Sequence, residues 1–197
     1  GGKAFADVIS GKVNPSGKLP FTYPAKLEDC PAHYYGEISY PGDSIRQEYK
    51  EDILVGYRWY DTKKISPLFP FGYGLSYTQF KYSKPQISAK ELRSDDTIEV
   101  KCTVKNIGSV AGKEIVQLYI GDEACSVLRP VKELKDFQKI ALQVGEEKEV
   151  CFRINKKALM FFDDKAHDWV VEPGKFRLYI GGSSLDTKNI VDFVYKE

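Results

Sequence analysis

Three acidic residues stand close together in the last third of the chain: Asp163, Asp164 and Asp168, beside Phe161-Phe162 and Trp169. Neighbouring carboxyl groups serve general acid/base chemistry, and oxygen-rich loops hold calcium. Calcium takes roughly six to eight oxygens in a closed loop, and EF-hand spacing is absent from this sequence. The favoured reading is a polar turn joining two strands. The four cysteines, Cys30, Cys102, Cys125 and Cys151, and the two histidines, His33 and His167, share no metal-ligand spacing. They read as free thiols packed like small apolar groups and as surface or turn histidines. Asn14-Pro15-Ser16 has proline in the middle, which rules out an N-glycosylation acceptor. Gly181-Gly182-Ser183-Ser184 reads as a turn and lacks the strand-to-helix setting of a phosphate loop.

Aromatic rings form the other chemically distinctive group. Tyr34, Tyr35, Tyr40, Trp59, Tyr60, Phe69, Phe71, Tyr73 and Tyr77 make a belt that either stacks on sugar faces or packs between domains. Packing is favoured, because a connecting belt must bury itself against something. Arg58, Trp59, Tyr60, Phe71 and Tyr73 are the candidates for that interdomain contact, with the Arg58 guanidinium reaching a carbonyl or carboxylate across it. Lys plus Arg number 29 and Asp plus Glu 28, a balance that gives no electrostatic attraction to nucleic acid or an anionic membrane. No apolar run long enough to span a bilayer as a helix occurs. Hydrophobic residues make up 42% of the chain, enough for a packed core.

The two halves of the chain are built differently. Residues 1–82 hold ten of the thirteen tyrosines and are rich in Gly and Pro. Ala4, Phe5, Val8 and Ile9 have helical spacing, and Gly11 is a fitting stop. One helix and a few extended pieces do not enclose their own apolar surface. Residues 1–82 therefore read as the closing elements of a domain that lies upstream, and Gly1-Gly2-Lys3, without Met, reads as the middle of a longer polypeptide. Lys84-Pro85 reads as a linker. Beyond it the period is close to two. Ile98, Val100, Cys102 and Val104 alternate with Glu99, Lys101, Thr103 and Lys105. Val116, Leu118 and Ile120, then Val150, Phe152 and Ile154, then Phe176, Leu178 and Ile180, form further apolar faces, and Ile190 to Tyr195 is strand-like. Cys102 should point inward and Cys151 outward. Residues 85–197 are expected to form an antiparallel β-sandwich of immunoglobulin-like type. The chain as a whole reads as mainly β, a sandwich preceded by the remnant of an α/β domain.

Gly1-Gly2-Lys3-Ala4-Phe5-Ala6-Asp7-Val8-Ile9-Ser10-Gly11 and Asn14-Pro15-Ser16-Gly17-Lys18-Leu19-Pro20 resemble the segment that closes the α/β sandwich domain of glycoside hydrolase family 3. Tyr57-Arg58-Trp59-Tyr60-Asp61 and Pro70-Phe71-Gly72-Tyr73-Gly74-Leu75-Ser76-Tyr77-Thr78 match that family's exit from the domain. Val104-Lys105-Asn106, Val116-Gln117-Leu118-Tyr119, Arg129-Pro130-Val131-Lys132-Glu133-Leu134 and Val170-Val171-Glu172-Pro173-Gly174 look like its fibronectin-III-like domain.

The resemblance implies a (β/α)8 barrel, an α/β sandwich and a β-sandwich in one enzyme, hydrolysing terminal β-D-glucosyl or related residues with retention. Retention uses two carboxyl groups about 5 Å apart. Neither family carboxylate motif matches here, so no catalytic residue is assigned and the isolated chain is expected to be inert. No cofactor or metal is implied. The expected partners are the upstream barrel and α/β domains, with a β-glucoside bound only by the longer enzyme. Glu48, Glu51 and Asp52 would approach a sugar in that assembly or flank a solvated loop, the second being favoured. Phe5, Val8, Ile9, Leu19 and Phe21 would form an apolar face that drives self-association through residues 1–82. A rival reading makes the sandwich a carbohydrate- or cell-surface-binding module. Trp169, Phe152 and Phe176, expected in or beside apolar strand faces, leave few rings for such a platform. Cytoplasmic, periplasmic and secreted locations are all compatible with the sequence.

Overall fold

The computed structural model describes residues 1–187 and 189–197. Short helices punctuate the first segment: α1 (Gly2–Ile9), α2 (Pro31–Tyr34) and α3 (Tyr57–Lys63). Helix α1 stops where expected, with Gly11 at φ 75° just past its end. Extended stretches link the helices, and a single bridge joins Tyr23 to Phe69. The segment's own buried cluster is small, Leu54, Trp59 and Tyr60, with Tyr35 and Ile65 packed on it. Among the described residues, no helix is long and apolar enough to cross a membrane.

Among the described residues eleven strands follow: β1 (Phe80–Tyr82), β2 (Gln86–Ile87), β3 (Glu91–Leu92), β4 (Thr97–Asn106), β5 (Gly112–Asp122), β6 (Glu133–Leu142), β7 (Glu147–Asn155), β8 (Phe161–Asp163), β9 (Asp168–Val170), β10 (Gly174–Gly181) and β11 (Asn189–Tyr195). One sheet runs β1-β4-β2, with β7 on the other edge of β4. The facing sheet runs β3-β11-β10-β5-β6, and β8-β9 form a separate hairpin. All pairings are antiparallel except β3 with β11. Alternation of side chains explains the core. Ile98, Val100, Cys102 and Val104 from β4 meet Val116, Leu118 and Ile120 from β5, with Phe152, Phe176, Leu178 and Phe193 filling the layer between. Phe176 and Phe193, register partners on β10 and β11, stack at 5.6 Å. Cys102 is buried and Cys151 half-buried, and the four cysteines are free.

Two features depart from the sequence reading. The first strand of the sandwich, β1, pairs with β4 ahead of Lys84-Pro85, and the buried Thr78 hydroxyl donates to Asn106 Oδ1 at 2.6 Å. Trp169 is not tucked beside an apolar strand face. It lies 59% exposed on β9, opposite Phe162, which is 48% exposed. The reason is topological: β8 and β9 pair only with each other and project their Phe162–Trp169 face away from both sheets.

Candidate functional site: the seam between the two segments

Strand β5 holds the seam together. Its inner residues face the core, yet Gln117 and Tyr119 on the opposite face are buried as well. The first segment lies across them. Helix α3 places Tyr57 and Asp61 four residues apart, hence on one face. Tyr57 sits 5.1 Å from the Phe71 ring and 5.6 Å from the Tyr119 ring, and the Leu134 N–H donates to its hydroxyl oxygen at 2.7 Å. One turn on, Asp61 accepts from Lys132 Nζ at 2.7 Å. This ion pair is nearly dry, with side-chain exposures of 8% for Lys132 and 4% for Asp61. Thr62 Oγ1 accepts from the Val131 N–H at 3.3 Å. Lys132 also lies over the rings of Tyr119 and Tyr179 at 5.9 and 5.7 Å. Burial pushes the Asp61 carboxyl above the ordinary aspartate range, although Lys132 pulls against it.

A second ionic group adjoins the first. Arg129 donates to Asp122 at 3.2 Å, to Glu133 at 2.9 Å and to the Leu159 carbonyl at 3.1 Å, and its guanidinium lies 5.2 Å from the Phe161 ring. Burial works to raise Glu133, but Lys135 and Arg129 outweigh it and hold this carboxyl below the usual range. Arg58 reaches the same Glu133 across the seam at 3.6 Å. At the far end of β5, Glu114 accepts from Lys18 at 3.0 Å and from the Tyr82 hydroxyl at 3.1 Å.

Backbone contacts close the remaining gaps. Gly72, at φ 80°, lies so close to β5 that an added Cβ would fall 2.5 Å from Gln117 Nε2 and 3.0 Å from the Ser183 Cα. Gln117 Nε2 instead donates to the Gly182 carbonyl at 2.9 Å, and Ser184 N–H donates to the Phe71 carbonyl at 2.9 Å. Asn14 accepts from Ser76 Oγ and the Tyr77 N–H, and donates to the Ala111 carbonyl at 2.9 Å.

The expected packing residues divide between two faces of α3. Arg58 points to the seam, as Phe71 does from the stretch beyond the helix. Trp59 and Tyr60 turn away into the first segment's own cluster, where Trp59 Nε1 donates to the Asp29 carbonyl at 3.1 Å and the ring meets Tyr34 and Tyr35. Tyr73 stacks on Phe69 at 4.9 Å, and its carbonyl accepts from Leu19 N–H at 2.8 Å. Tyr57, Asp61, Arg129 and Lys132 carry the seam without having been assigned a role from sequence. The i, i+4 spacing of Tyr57 and Asp61 was the available signal. Asp163 and Asp168 are register partners in the β8–β9 turn, where Asp163 accepts from the Lys165 and Ala166 N–H groups. Among the described residues, no three His, Cys, Asp or Glu side chains converge as a metal site requires.

Both segments match known families. Residues 1–77 match the glycosyl hydrolase family 3 C-terminal domain, and residues 114–184 a fibronectin type III-like domain. The chain belongs to the C-terminal region of glycoside hydrolase family 3. It is 71% identical to beta-glucosidase BoGH3A of Bacteroides ovatus over 99% of this chain and 26% of that protein. Thermostable beta-glucosidase B of Acetivibrio thermocellus is 51% identical over 94% of this chain and 24% of its own length. Among solved structures, DesR, a beta-glucosidase from Streptomyces venezuelae in complex with D-glucose, superposes with a TM-score of 0.89 at 37% identity, covering 98% of this chain and 24% of that one. The chain therefore spans about a quarter of the length of the relatives it matches.

Proposed function

We propose that this chain is the non-catalytic C-terminal portion of a retaining exo-β-glucosidase acting on terminal β-D-glucosyl residues, and that it braces the domain assembly of that enzyme. The observation that carries the reading is the ionic seam. Its carboxylates are already committed: Asp61 to Lys132, Asp122 to Arg129, Glu114 to Lys18, and Glu133 to Arg129 and Lys135. A retaining glycosidase needs two carboxyl groups free to face a sugar, one of them able to give up a proton. Carboxylates locked to cations inside an interface suit holding rather than proton transfer.

The first segment keeps a second apolar side for further domains. Phe5 and Ile9 on α1 are 69% and 64% exposed, and Phe21 and Leu75 are exposed as well. Exposed apolar residues of this size can seat a partner surface, and the upstream domains of the same polypeptide are the partner this reading supplies. The test compares the 197-residue chain with the longer polypeptide on an aryl β-glucoside. The chain should show no turnover above a mock purification, and the longer protein should hydrolyse the substrate with retention. Turnover by the chain that survives repurification would overturn the bracing role.

A further inference from the structure

A second feature opens beside the Arg58–Glu133–Arg129 end of the seam, on the side of the β8–β9 hairpin. An open groove of about 730 Å³ runs between the β8–β9 hairpin and the turn that leads into α3. Its size falls in the range that holds extended small ligands. Trp169 and Phe162 form one wall, their rings 5.9 Å apart and 75° to each other. Ile53, Leu128 and Met160 also line it. Trp169 and Phe162 are exposed together on a hairpin that pairs with neither sheet, so they form a joint apolar patch rather than a scattered residue, and such a patch marks a contact surface.

The charges narrow the class of occupant. Asp52, Glu133 and Asp163 are offset in the groove by Arg58, Arg129 and Lys135, and at the hairpin tip Asp164 is offset by Lys165. A groove with balanced charge gives no net field to hold a phosphate, a nucleic acid or a basic peptide. Arg129, Glu133 and Lys135 are paired with one another, but Arg58, Asp52, Asp163, Asp164 and Lys165 still present donors and acceptors along an aromatic wall. That combination fits a neutral, polyhydroxylated ligand whose hydroxyls take hydrogen bonds and whose C–H faces lie on the indole. We infer that the groove between the β8–β9 hairpin and α3 is a non-catalytic binding site for a neutral glucan oligosaccharide, with Trp169 as its platform. The inference rests on the proposed function only for the choice of glucose as the sugar.

Binding is measurable on the 197-residue chain, without any hydrolytic activity, so its failure is distinct from failure of the enzyme assignment. The chain has two tryptophans, and Trp59 is fully buried, so ligand-dependent emission reports Trp169. Cellotetraose and laminaritetraose are the probes, with tetra-N-acetylchitotetraose and inorganic phosphate as controls. A glucan should shift the emission saturably and move the amide resonances of residues 161–170. Trp169→Ala should weaken binding by about tenfold or more, with an unchanged melting temperature because the ring is exposed. Phe162→Ala should weaken it less. The inference is overturned if neither glucan gives a saturable response. It is equally overturned if Trp169→Ala binds as well as the parent, or if phosphate competes. In the longer polypeptide, hydroxyl-radical footprinting should find Trp169 accessible. A protected indole there would assign the groove to a neighbouring domain instead.

Discussion

The Lys132–Asp61 pair allows a quantitative test of the seam. Lys132→Met and Asp61→Leu each leave one buried charge without its partner, whereas the double variant removes both. Breaking a buried pair from one side costs about 3–5 kcal/mol. The two single variants should not cost the same. Lys132 keeps its contacts with the Tyr119 and Tyr179 rings after Asp61 is lost, and a desolvated cation–π contact returns up to about 2 kcal/mol. Asp61→Leu should therefore cost about 2 kcal/mol, and Lys132→Met about 3 kcal/mol or more at pH 7. The double variant should fall short of the sum by about 2–3 kcal/mol, the coupling expected of residues in direct contact. The pH dependence follows from the direction of the Asp61 shift. Burial already holds this carboxyl's folded pKa above its unfolded value of about 3.9. A raised carboxyl binds its proton more tightly when folded. Its contribution is thus favourable at low pH and is lost as pH rises through the folded pKa. Removing Lys132, which pulls that pKa down, moves it further up. The Lys132→Met deficit should accordingly shrink between pH 7 and pH 5, by about 1.4 kcal/mol for each pKa unit gained within that window. Urea unfolding followed by circular dichroism, with m checked for constancy, measures all four proteins. A coupling below about 0.5 kcal/mol, or a deficit that is the same at both pH values, would refute the reasoning.

Four further outcomes are expected. Gly72→Ala should destabilise by about 1–3 kcal/mol in the same unfolding assay, because the residue is at positive φ and its Cβ meets Gln117 and Ser183. A chain beginning at Thr78 should fold cooperatively, and one beginning at Pro85 should melt several degrees lower for want of β1 and the Thr78–Asn106 hydrogen bond. Equal melting temperatures would place β1 outside the sandwich's folding unit. In native thiol titration, Cys102 should react last, since burial both shields its thiol and raises its pKa. Light scattering should show the whole chain associating with rising concentration and the Thr78 chain remaining monomeric, because Phe5, Ile9 and Phe21 leave with the first segment.

The sandwich was legible in the sequence because its period is local. Ile98, Val100, Cys102 and Val104 alternate with polar residues, and each is buried in the sheet-to-sheet core. The small-hydrophobe reading of Cys102 follows from the same alternation. The seam was largely illegible. Whether the outer face of β5 meets water or protein depends on residues some sixty positions away in the chain. Gln117 and Lys132 look like surface residues until α3 and the Phe71-Gly72 turn cover them. The aromatic belt divides between packed and exposed rings, Trp59 and Tyr60 being buried and Tyr34, Tyr40 and Tyr77 exposed, and composition does not reveal which partner each ring takes. Trp59 and Phe71 stand twelve residues apart and serve different contacts, one inside the first segment and one against the sandwich. Trp169 failed in the opposite sense. Its apolar neighbours suggested a core strand, whereas pairing limited to β8 and β9 left it in solvent.

The chemistry of the seam is informative because it is not the chemistry of greatest stability. A dry ion pair contributes little net free energy beyond what well-packed apolar groups of the same volume would give. Apolar surfaces, however, tolerate sliding and rotation, because hydrophobic association has no direction. The seam joins a sheet to a segment with little regular structure, so an apolar contact alone would leave their relative orientation poorly fixed. Lys132 to Asp61, Leu134 N–H to Tyr57, Val131 N–H to Thr62 and Arg58 to Glu133 all connect α3 to one stretch, residues 131–134. The register shift between Leu118 and Tyr119 falls at this same level of β5, leaving Lys135 as the extra residue of β6. A bulge increases local twist and re-aims side chains. Here it lies where β5 and β6 support α3 from below. Directional bonds concentrated on one helical face, next to a local irregularity of the sheet, fix an angle rather than merely an adhesion. Fixing an angle is what the proposed bracing role would require, because a site elsewhere in a longer polypeptide keeps its geometry only if its supports hold theirs.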